Sequence, residues 1–477
     1  MFKSTALRIC AGILAVIIAI FISQMDPPEG LTPQSMLGLG IFLATVIFWI
    51  FEITPDFIAA ILMSVCWAAF GAVPFSIAFS AYNTPTFWLT LGAFGLAAAI
   101  GKSGLLTRIA KTLMRKFPLT FKGQALGLLL TGLVISPLIP STTTKSTLMA
   151  PFPKAIGEIM GYEKNSRGAG GLFGAMFISA AGMQPVFLSS SFICYAIFAL
   201  MPESTTAYIN WGTWFLNTAI WATAVLVLHY IAIVILYKPE AHTAHSQATS
   251  ENVLNEKLPP MSRDEKIVIS LLLICIVLWV TERMHGINSG IVATVALCIL
   301  VATNVLDRKS FKSHIVWDAL FMLGGVLNLS TVLPYLKVDK WLGNALGPTI
   351  VPLMSENVYF FLTVLAVVVY LIRFIIVSQT ALVTVFTLIF IPFCGPAGIS
   401  PWVIGFVTLA ACGVWNVKYH SITFLAAQYA SAAASEDGEP YVTHGQMMKL
   451  SVVYMIVSIV GTLLSIPFWQ WTGLITQ

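Results

Sequence analysis

Apolar runs of membrane-crossing length recur from one end of this sequence to the other. Clean runs lie near 7–23, 36–53, 56–72, 85–101, 212–237, 266–281, 287–306, 315–335 and 447–472. The hydrocarbon core of a bilayer needs roughly 20 apolar helical residues to cross it, so each run has about the length of one crossing. Only 9% of the residues are charged, whereas soluble domains carry about 25%. We therefore predict an all-α polytopic membrane protein with about 11 transmembrane helices.

The polar segment 238–265 is the longest break between the apolar runs, and we expect it to be a cytoplasmic linker between two halves. The first half, 36–237, and the second half, 266–477, show the same order of segments. We predict that they are inverted repeats. Residues 1–35 precede them as an N-terminal helix, because Met25-Asp26-Pro27-Pro28 after its apolar run offers no cleavage site of the kind that ends a secretory signal.

Each half also contains two apolar runs that polar residues interrupt. In the first half we predict a re-entrant hairpin near 123–160 and a broken helix near 168–200. In the second half we predict a hairpin near 357–396 and a broken helix near 398–432. Paired interruptions at matching positions are typical of secondary transporters built from repeats, in which the breaks form the substrate site near the middle of the membrane.

The distribution of basic residues sets the predicted orientation. With a cytoplasmic N-terminus and an external C-terminus, most of the 25 lysines and arginines fall in cytoplasmic segments, and the external segments hold Arg283, Lys337 and Lys340. This asymmetry follows the positive-inside rule. The stretch 102–122 carries six basic residues and no acidic one, so we expect it to lie along the inner interface. We expect the chain in a bacterial inner membrane.

Three cations fall inside the interrupted segments, namely Lys145, Arg373 and Lys418. A charge at the centre of the bilayer costs at least about 2.5–3.5 kcal/mol, so three of them need compensation. No Asp or Glu lies close to them along the interrupted segments. We therefore expect that an anionic ligand neutralises them.

The hairpin tips offer hydrogen-bond donors that suit carboxylates. Helix N-termini and hydroxyl groups both favour anions. Two opposed donor sets suit an anion with a negative group at each end, so we predict a dicarboxylate. The predicted substrate-binding residues are Ser141, Thr142, Thr143, Lys145, Ser378, Gln379 and Thr380. Further candidates near the breaks are Thr144, Gln184, Asn416, Lys418 and His420.

The two tips resemble the motifs of the divalent anion/sodium symporter family, whose members carry two Ser-Asn-Thr type motifs on paired hairpins. Pro140-Ser141-Thr142-Thr143 stands in the place of the first motif and Ser378-Gln379-Thr380 in that of the second. Within the family the chain resembles the 2-oxoglutarate/malate translocator branch. There the first motif is similar to Ser-Asn-Thr-Ala-Arg, and Ser141-Thr142-Thr143-Thr144-Lys145 matches it with a lysine in the basic position.

This resemblance implies a homodimer with a scaffold domain and a transport domain that moves by an elevator mechanism. The substrate is expected to be a dicarboxylate or tricarboxylate: malate, succinate, 2-oxoglutarate, tartrate and citrate all stay open, and sulfate is less favoured. Thr142 and Gln379 replace the two motif asparagines, which contact substrate in the sodium-coupled members. Both the identity of the substrate and any role for sodium are therefore open.

Lys145 decides between two transport mechanisms. A fixed ammonium beside the tip repels a sodium ion and supplies its charge, which favours the exchange of one anion for another. Sodium-coupled symport is the alternative. A membrane-embedded enzyme is a remote one, because His420 with Ser421 and Lys418 lacks an acid to orient the histidine. The composition points to membrane lipid as a neighbour and gives no sign of a nucleic-acid partner, and no cofactor is expected.

Overall fold

The structure is a computed structural model, and it describes residues 5–239, 259–415, 421–433 and 439–476. Helices form most of the described chain, and the described part contains no β-strand beyond one isolated bridge. The predicted all-α class is therefore confirmed.

The helices of the first half begin and end close to the predicted runs. They are α1 (Thr5–Gln24), α2 (Pro33–Phe51), α3 (Asp56–Ala69), α4 (Phe75–Ala78), α5 (Pro85–Ser103), α6 (Leu105–Met114), α7 (Phe121–Ile135), α8 (Thr142–Met149), α9 (Pro151–Ile159), α10 (Arg167–Phe177), α11 (Phe192–Leu200), α12 (Glu203–Thr206) and α13 (Trp211–Leu236). A π-helical turn, Ile178–Gly182, continues α10 and ends it.

The second half contains eleven described helices. They are α14 (Arg263–Val280), α15 (Glu282–His285), α16 (Ser289–Ala302), α17 (Arg308–His314), α18 (Trp317–Tyr335), α19 (Val338–Ser355), α20 (Val358–Ile372), α21 (Gln379–Cys394), α22 (Pro401–Cys412), α23 (Ile422–Ala433) and α24 (His444–Trp471).

Six of the described helices are long and apolar enough to cross a bilayer. They are α1, α2, α7 with its short 3₁₀ extension, α13, α18 and α24. Two further pairs pass the same test together but bend sharply, by 68° between α5 and α6 and by 112° between α19 and α20. Counting each bent pair as one span gives eight. The number of about 11 crossings stays a prediction.

Local sequence signals explain where several of these helices begin. The first N–H groups of a helix have no partner within it, so a side chain must accept from them in an apolar environment. Thr443 and Gln446 form a reciprocal capping box at the start of α24. Ser262 and Glu265 form the same box at the start of α14.

Much of the packing falls into two groups, which are connected where α11 packs on α18 and where α21 touches α2. One contains α1 against α2, α3 against α18 and α5 against α16. The other contains the hairpins and broken helices, with α13 against α24. Within it, α7 packs on α10 and α20 packs on α22. The second arm of each predicted hairpin packs on a helix from the other half of the chain. The helix α8 packs on α23, and α21 packs on α11.

Small residues allow the closest helix crossings in the first group. A Cβ added at Gly92 of α5 would lie 2.4 Å from the backbone carbonyl carbon of Ala293 in α16. A Cβ at Gly325 of α18 would lie 2.5 Å from the Cβ of Ala60 in α3. Membrane helices pack closely where such residues meet, since lipid supplies no hydrophobic force between them.

Residues near the end of the chain pair with the segment that precedes α22. The Ser400 N–H donates to the carbonyl of Leu474 at 2.7 Å, and the Thr476 N–H donates to the carbonyl of Gly398 at 2.8 Å. Ile399 and Ile475 face each other in this antiparallel bridge. The segment 474–476 is thereby fastened to the start of the second broken helix.

Candidate functional site

A cavity of about 480 Å³ lies where the two hairpin tips meet the two helix breaks. Thr142 and Thr143 of the first tip line it, and so do Ser378, Gln379 and Thr380 of the second tip. The two tips are more than 200 positions apart in the chain, yet their residues line the same cavity. The structure therefore brings together five of the seven residues that were predicted to bind substrate.

The first tip owes its shape to the break after α7. Ser136-Pro137-Leu138 form a 3₁₀ turn, and Ser141 then has extended backbone before α8 begins. The Ser141 hydroxyl oxygen accepts from the Thr144 N–H at 3.2 Å and from the Thr144 hydroxyl at 2.9 Å. Ser141 and Thr144 thus cap the helix and are absent from the described cavity lining.

The second tip repeats this arrangement. Ser378 caps α21 by accepting from the Ala381 N–H at 3.3 Å. Gln379 and Thr380 form the first turn, with the helix N-terminus directed at the cavity. The Gln379 amide nitrogen is buried and has no hydrogen-bond partner among the described residues. The Gln184 amide oxygen is also buried without a hydrogen-bond partner among the described residues, and Gln184 lines the cavity from the first break.

Thr143 connects the first hairpin to the second broken helix. Its Oγ1 lies 2.8 Å from Oγ1 of Thr423, which lies in the first turn of α23. Thr423 lines the cavity as well, together with Ser421 and Ile422. The wall therefore contains a direct hydrogen bond between the two halves of the chain.

The Lys145 side chain extends into the protein behind the first tip. It is fully buried, and its ammonium donates to Ser136 Oγ at 2.9 Å and to the Ser190 carbonyl at 2.8 Å. Lys145 is not among the described residues that line the cavity. Its charge lies at the junction of the first tip and the first break, so direct contact with a ligand is not what this geometry offers.

Arg373 lies at the second tip and lines the cavity. Its guanidinium donates to the carbonyl of Ile376 at 3.0 Å and also to the carbonyl of Val377. It is buried, with 3% of its surface exposed. Like Lys145, it is held by neutral oxygens that the break in the helix leaves available.

Two carboxylates that the sequence analysis did not single out line the cavity from the connection between α2 and α3. Glu52 and Asp56 both line the cavity, together with Arg8. Asp56 Oδ2 accepts a hydrogen bond of 2.6 Å from Ser378 Oγ. Spacing along the interrupted segments did not indicate this contact, because 322 positions separate Asp56 from Ser378.

The predicted candidates Asn416, Lys418 and His420 lie outside the described residues. The residues on either side of this gap, Val414 and Ser421, line the cavity. The described part of the chain contains no group of three or more His, Cys, Asp or Glu side chains that could hold a metal ion.

A larger cavity of about 600 Å³ lies between α5, α12, α13 and α18. Glu203 and Glu282 line it, and no lysine or arginine is found among its described lining residues. The cavity at the tips also has two carboxylates in its lining, but Arg8 and Arg373 line it with them and favour an anion. The smaller cavity at the tips is therefore the better candidate for the site that the sequence predicts.

An all-helical membrane chain whose paired interruptions surround a polar cavity is a secondary transporter in architecture. The chain belongs to the family described as the sodium:sulfate symporter transmembrane region, whose model matches residues 7–475. This confirms the resemblance to the divalent anion/sodium symporters that the tip motifs indicated. The proteins of this family and its relatives are transporters and not enzymes.

Several known proteins are similar to the chain. "Dicarboxylate transporter 2, chloroplastic" of Spinacia oleracea is 25% identical over 70% of this chain and 61% of its own length. "Dicarboxylate transporter 2.1, chloroplastic" of Arabidopsis thaliana is 26% identical over 84% of this chain and 71% of its own. "Inner membrane protein YbhI" of Escherichia coli is 24% identical over 74% of this chain and 76% of its own.

Two solved structures share the fold. The Alcanivorax borkumensis YdaH transporter has a TM-score of 0.59 at 13% identity and covers 98% of both chains. Neisseria gonorrhoeae MtrF has a TM-score of 0.56 at 12% identity and covers 98% of this chain and 94% of its own. At this identity the likeness concerns the fold alone.

Proposed function

We propose that this transporter exchanges dicarboxylate anions across a bacterial inner membrane. The observation that carries the proposal is that donor groups of both hairpin tips line one cavity. Two of the similar proteins are named as dicarboxylate transporters. The predicted tip motifs and these names agree on the same class of substrate.

The chemistry of the tips supports an anion with two negative groups. The N-terminus of α8 presents Thr142 and Thr143, and the N-terminus of α21 presents Gln379 and Thr380. Each helix N-terminus carries a partial positive charge and free N–H groups. A carboxylate at each end of a small molecule would accept from one tip, and the unpartnered amide of Gln379 gives it a further donor.

Lys145 supports exchange over sodium-coupled symport. Its ammonium is bonded to a hydroxyl oxygen and to a backbone carbonyl of the helix break. Oxygens of this kind hold coupling ions in transporters with broken helices. A cation there supplies the charge that sodium would bring. It also makes movement of the unloaded site costly, because no anion then balances the charge.

The predicted orientation indicates which side of the membrane the cavity faces. Its edge is formed by Arg8 and Glu52, whose side chains are 37% and 41% exposed. With the N-terminus in the cytoplasm, this edge faces the cytoplasm. The hairpins, the broken helices, α13 and α24 would then form the moving unit of an elevator, with α1, α2, α3, α5, α16 and α18 as the scaffold of a homodimer.

Counterflow in proteoliposomes tests the proposal. Vesicles loaded with unlabelled malate, succinate, 2-oxoglutarate, citrate or sulfate would be diluted into labelled malate, with sodium or with choline as the external cation. We expect dicarboxylate counterflow that is the same with either cation. Sulfate-only counterflow, or uptake that requires sodium, would contradict the proposal and favour symport.

A variant pair addresses the role of the buried cation. Lys145→Gln removes the charge, and we expect it to slow exchange strongly. Lys116→Gln removes a charge from an exposed position at the end of α6 and serves as the control. If Lys145→Gln exchanges dicarboxylate as fast as the wild type, the argument for exchange from this residue fails.

A further inference from the structure

Asp56 places a carboxylate of the protein on the second hairpin tip. Its Oδ2 accepts a hydrogen bond of 2.6 Å from Ser378 Oγ. Bonds from a hydroxyl to a carboxylate are short and about twice as strong as neutral ones. A serine hydroxyl has a single proton to donate. The donor that we expect a substrate carboxylate to use is therefore already engaged by an anion of the chain.

The two residues belong to different packing groups. Asp56 begins α3, which packs on α2 and α18, whereas Ser378 caps α21, which packs mainly on α11, α19 and α22 and touches α2. Asp56 is also fixed in place, because the indole N–H of the fully buried Trp49 donates to its backbone carbonyl at 3.1 Å. The Asp56–Ser378 bond thus fastens a hairpin tip to the corner between α2 and α3.

The other charged side chains near the corner between α2 and α3, those of Glu52 and Arg373, have partners other than Ser378. Glu52 ends α2 in a left-handed conformation with φ of 52°, and its nearest cation is Arg8 at 3.7 Å. Arg373 donates to the carbonyls beside the tip. An anion that enters the cavity meets the repulsion of the Asp56 carboxylate, and it reaches the Ser378 hydroxyl by breaking the bond between them.

We propose that Asp56 couples the loading of the cavity to the movement of the hairpin. In the empty protein Asp56 holds the tip through Ser378. A substrate carboxylate takes over the Ser378 proton donor, repels Asp56 and releases the tip. This inference rests on the proposed exchange function. It adds a reason why the moving unit stays in place when it carries no substrate, and it assigns that effect to a residue outside both hairpins.

The test compares two fluxes in proteoliposomes that contain the full-length protein and labelled malate. Exchange is measured with malate outside, and net efflux is measured with no anion substrate outside. For Asp56→Ala we expect the ratio of net efflux to exchange to rise about tenfold or more, the factor that the loss of one charge-assisted hydrogen bond carries. Ser378→Ala should raise the same ratio, with slower exchange because it also removes a tip donor.

Glu52→Gln is the matched control. It removes one negative charge from the same cavity and leaves the Asp56–Ser378 bond in place, so its flux ratio should stay that of the wild type. An equal rise in Glu52→Gln would overturn the inference, because cavity charge alone would then explain it. An unchanged ratio in Asp56→Ala would overturn it too, while leaving the exchange function intact.

Two further outcomes keep the inference separate from the function and from folding. Absence of wild-type counterflow with every dicarboxylate would defeat the proposed function itself, and with it this inference. Asp56→Asn retains an oxygen that can accept from Ser378, so it should fold and give an intermediate ratio. If Asp56→Ala does not fold, a wild-type ratio in folded Asp56→Asn, with its elution on gel filtration unchanged, overturns the inference.

Discussion

The hydroxyl oxygens of Thr143 and Thr423 lie 2.8 Å apart although 280 positions separate them in the chain. Thr143 belongs to the first hairpin and Thr423 to the second broken helix, so the bond joins the two halves at the cavity wall. A cavity built in this way keeps its shape only when the halves keep their relative position. Transport kinetics should therefore respond to either partner.

We expect Thr143→Val and Thr423→Val each to lower kcat/KM for dicarboxylate exchange, with a double variant that is less than additive. The coupling should be about 0.5–1.5 kcal/mol, the net value of one hydrogen bond. Thr147→Val is the control, because the Thr147 hydroxyl donates to the Thr143 carbonyl in its own helix at 2.7 Å. Strictly additive losses would show that the bond does not contribute.

Gln379→Ala should raise KM for the dicarboxylate about tenfold, because it removes an amide that is unpartnered among the described residues and available to an anion. Its melting temperature in detergent should change little, since no described hydrogen bond is lost. Gln124→Ala should do the opposite. The Gln124 amide donates to the carbonyls of Phe117 and Pro118, so that change should lower stability and leave KM unchanged.

Tyr454→Phe should destabilise the protein by about 1–3 kcal/mol, the range for leaving a buried polar group unsatisfied. The Tyr454 hydroxyl lies 2.9 Å from the carbonyl oxygens of both Gly182 and Ala410, one at each broken helix. Tyr370→Phe is the comparison, because its hydroxyl donates to the single carbonyl of Met455. Thermal unfolding would check the order, and equal losses would contradict it.

Gly92→Ala should destabilise the protein by about 1–3 kcal/mol, because the added methyl group would overlap the backbone of Ala293 and force α5 and α16 apart. Gly101→Ala lies in the same helix and meets no atom within 4 Å. That substitution should be neutral or stabilise by up to about 1 kcal/mol through helix propensity. Unfolding measurements on both variants give the comparison, and similar effects would exclude the packing explanation.

Arg108→Glu should lower the melting temperature, and Arg108→Glu with Glu265→Arg should recover part of the loss. Arg108 Nε lies 2.7 Å from Glu265 Oε1, with side chains 17% and 7% exposed. The pair connects α6 to the start of α14, next to the linker. Failure of the reversed pair to recover any stability would indicate that the charges act independently.

The sequence predicted the helices well because each apolar run and each cap is a local signal. The bounds of α13, predicted as 212–237, are Trp211–Leu236, and those of α24, predicted as 447–472, are His444–Trp471. A cluster of prolines and hydroxyl residues likewise marked the first hairpin tip, and Ser378-Gln379-Thr380 marked the second. The cavity contact of Thr142, Thr143, Gln379 and Thr380 follows from those tips, while their role in substrate binding stays a prediction.

Two features of the site depend on tertiary packing, which cannot be predicted from composition and residue spacing. Asp56 lies within an apolar run as the first residue of α3, and its partner is on the other half of the chain. The acidic residue at a helix start inside such a run was the one available signal. The position of Lys145 next to the first tip was predicted, but its long side chain extends behind the tip to Ser136 and Ser190.

The bridge between Ile399 and Ile475 attaches residues near the end of the chain to the second broken helix. Because 474–476 is hydrogen-bonded to the residues just before α22, a fluorophore or spin label placed beside this segment would travel with that helix. Distance measurements from such a label to one on α16 would follow the transport cycle without introducing any foreign group into the cavity.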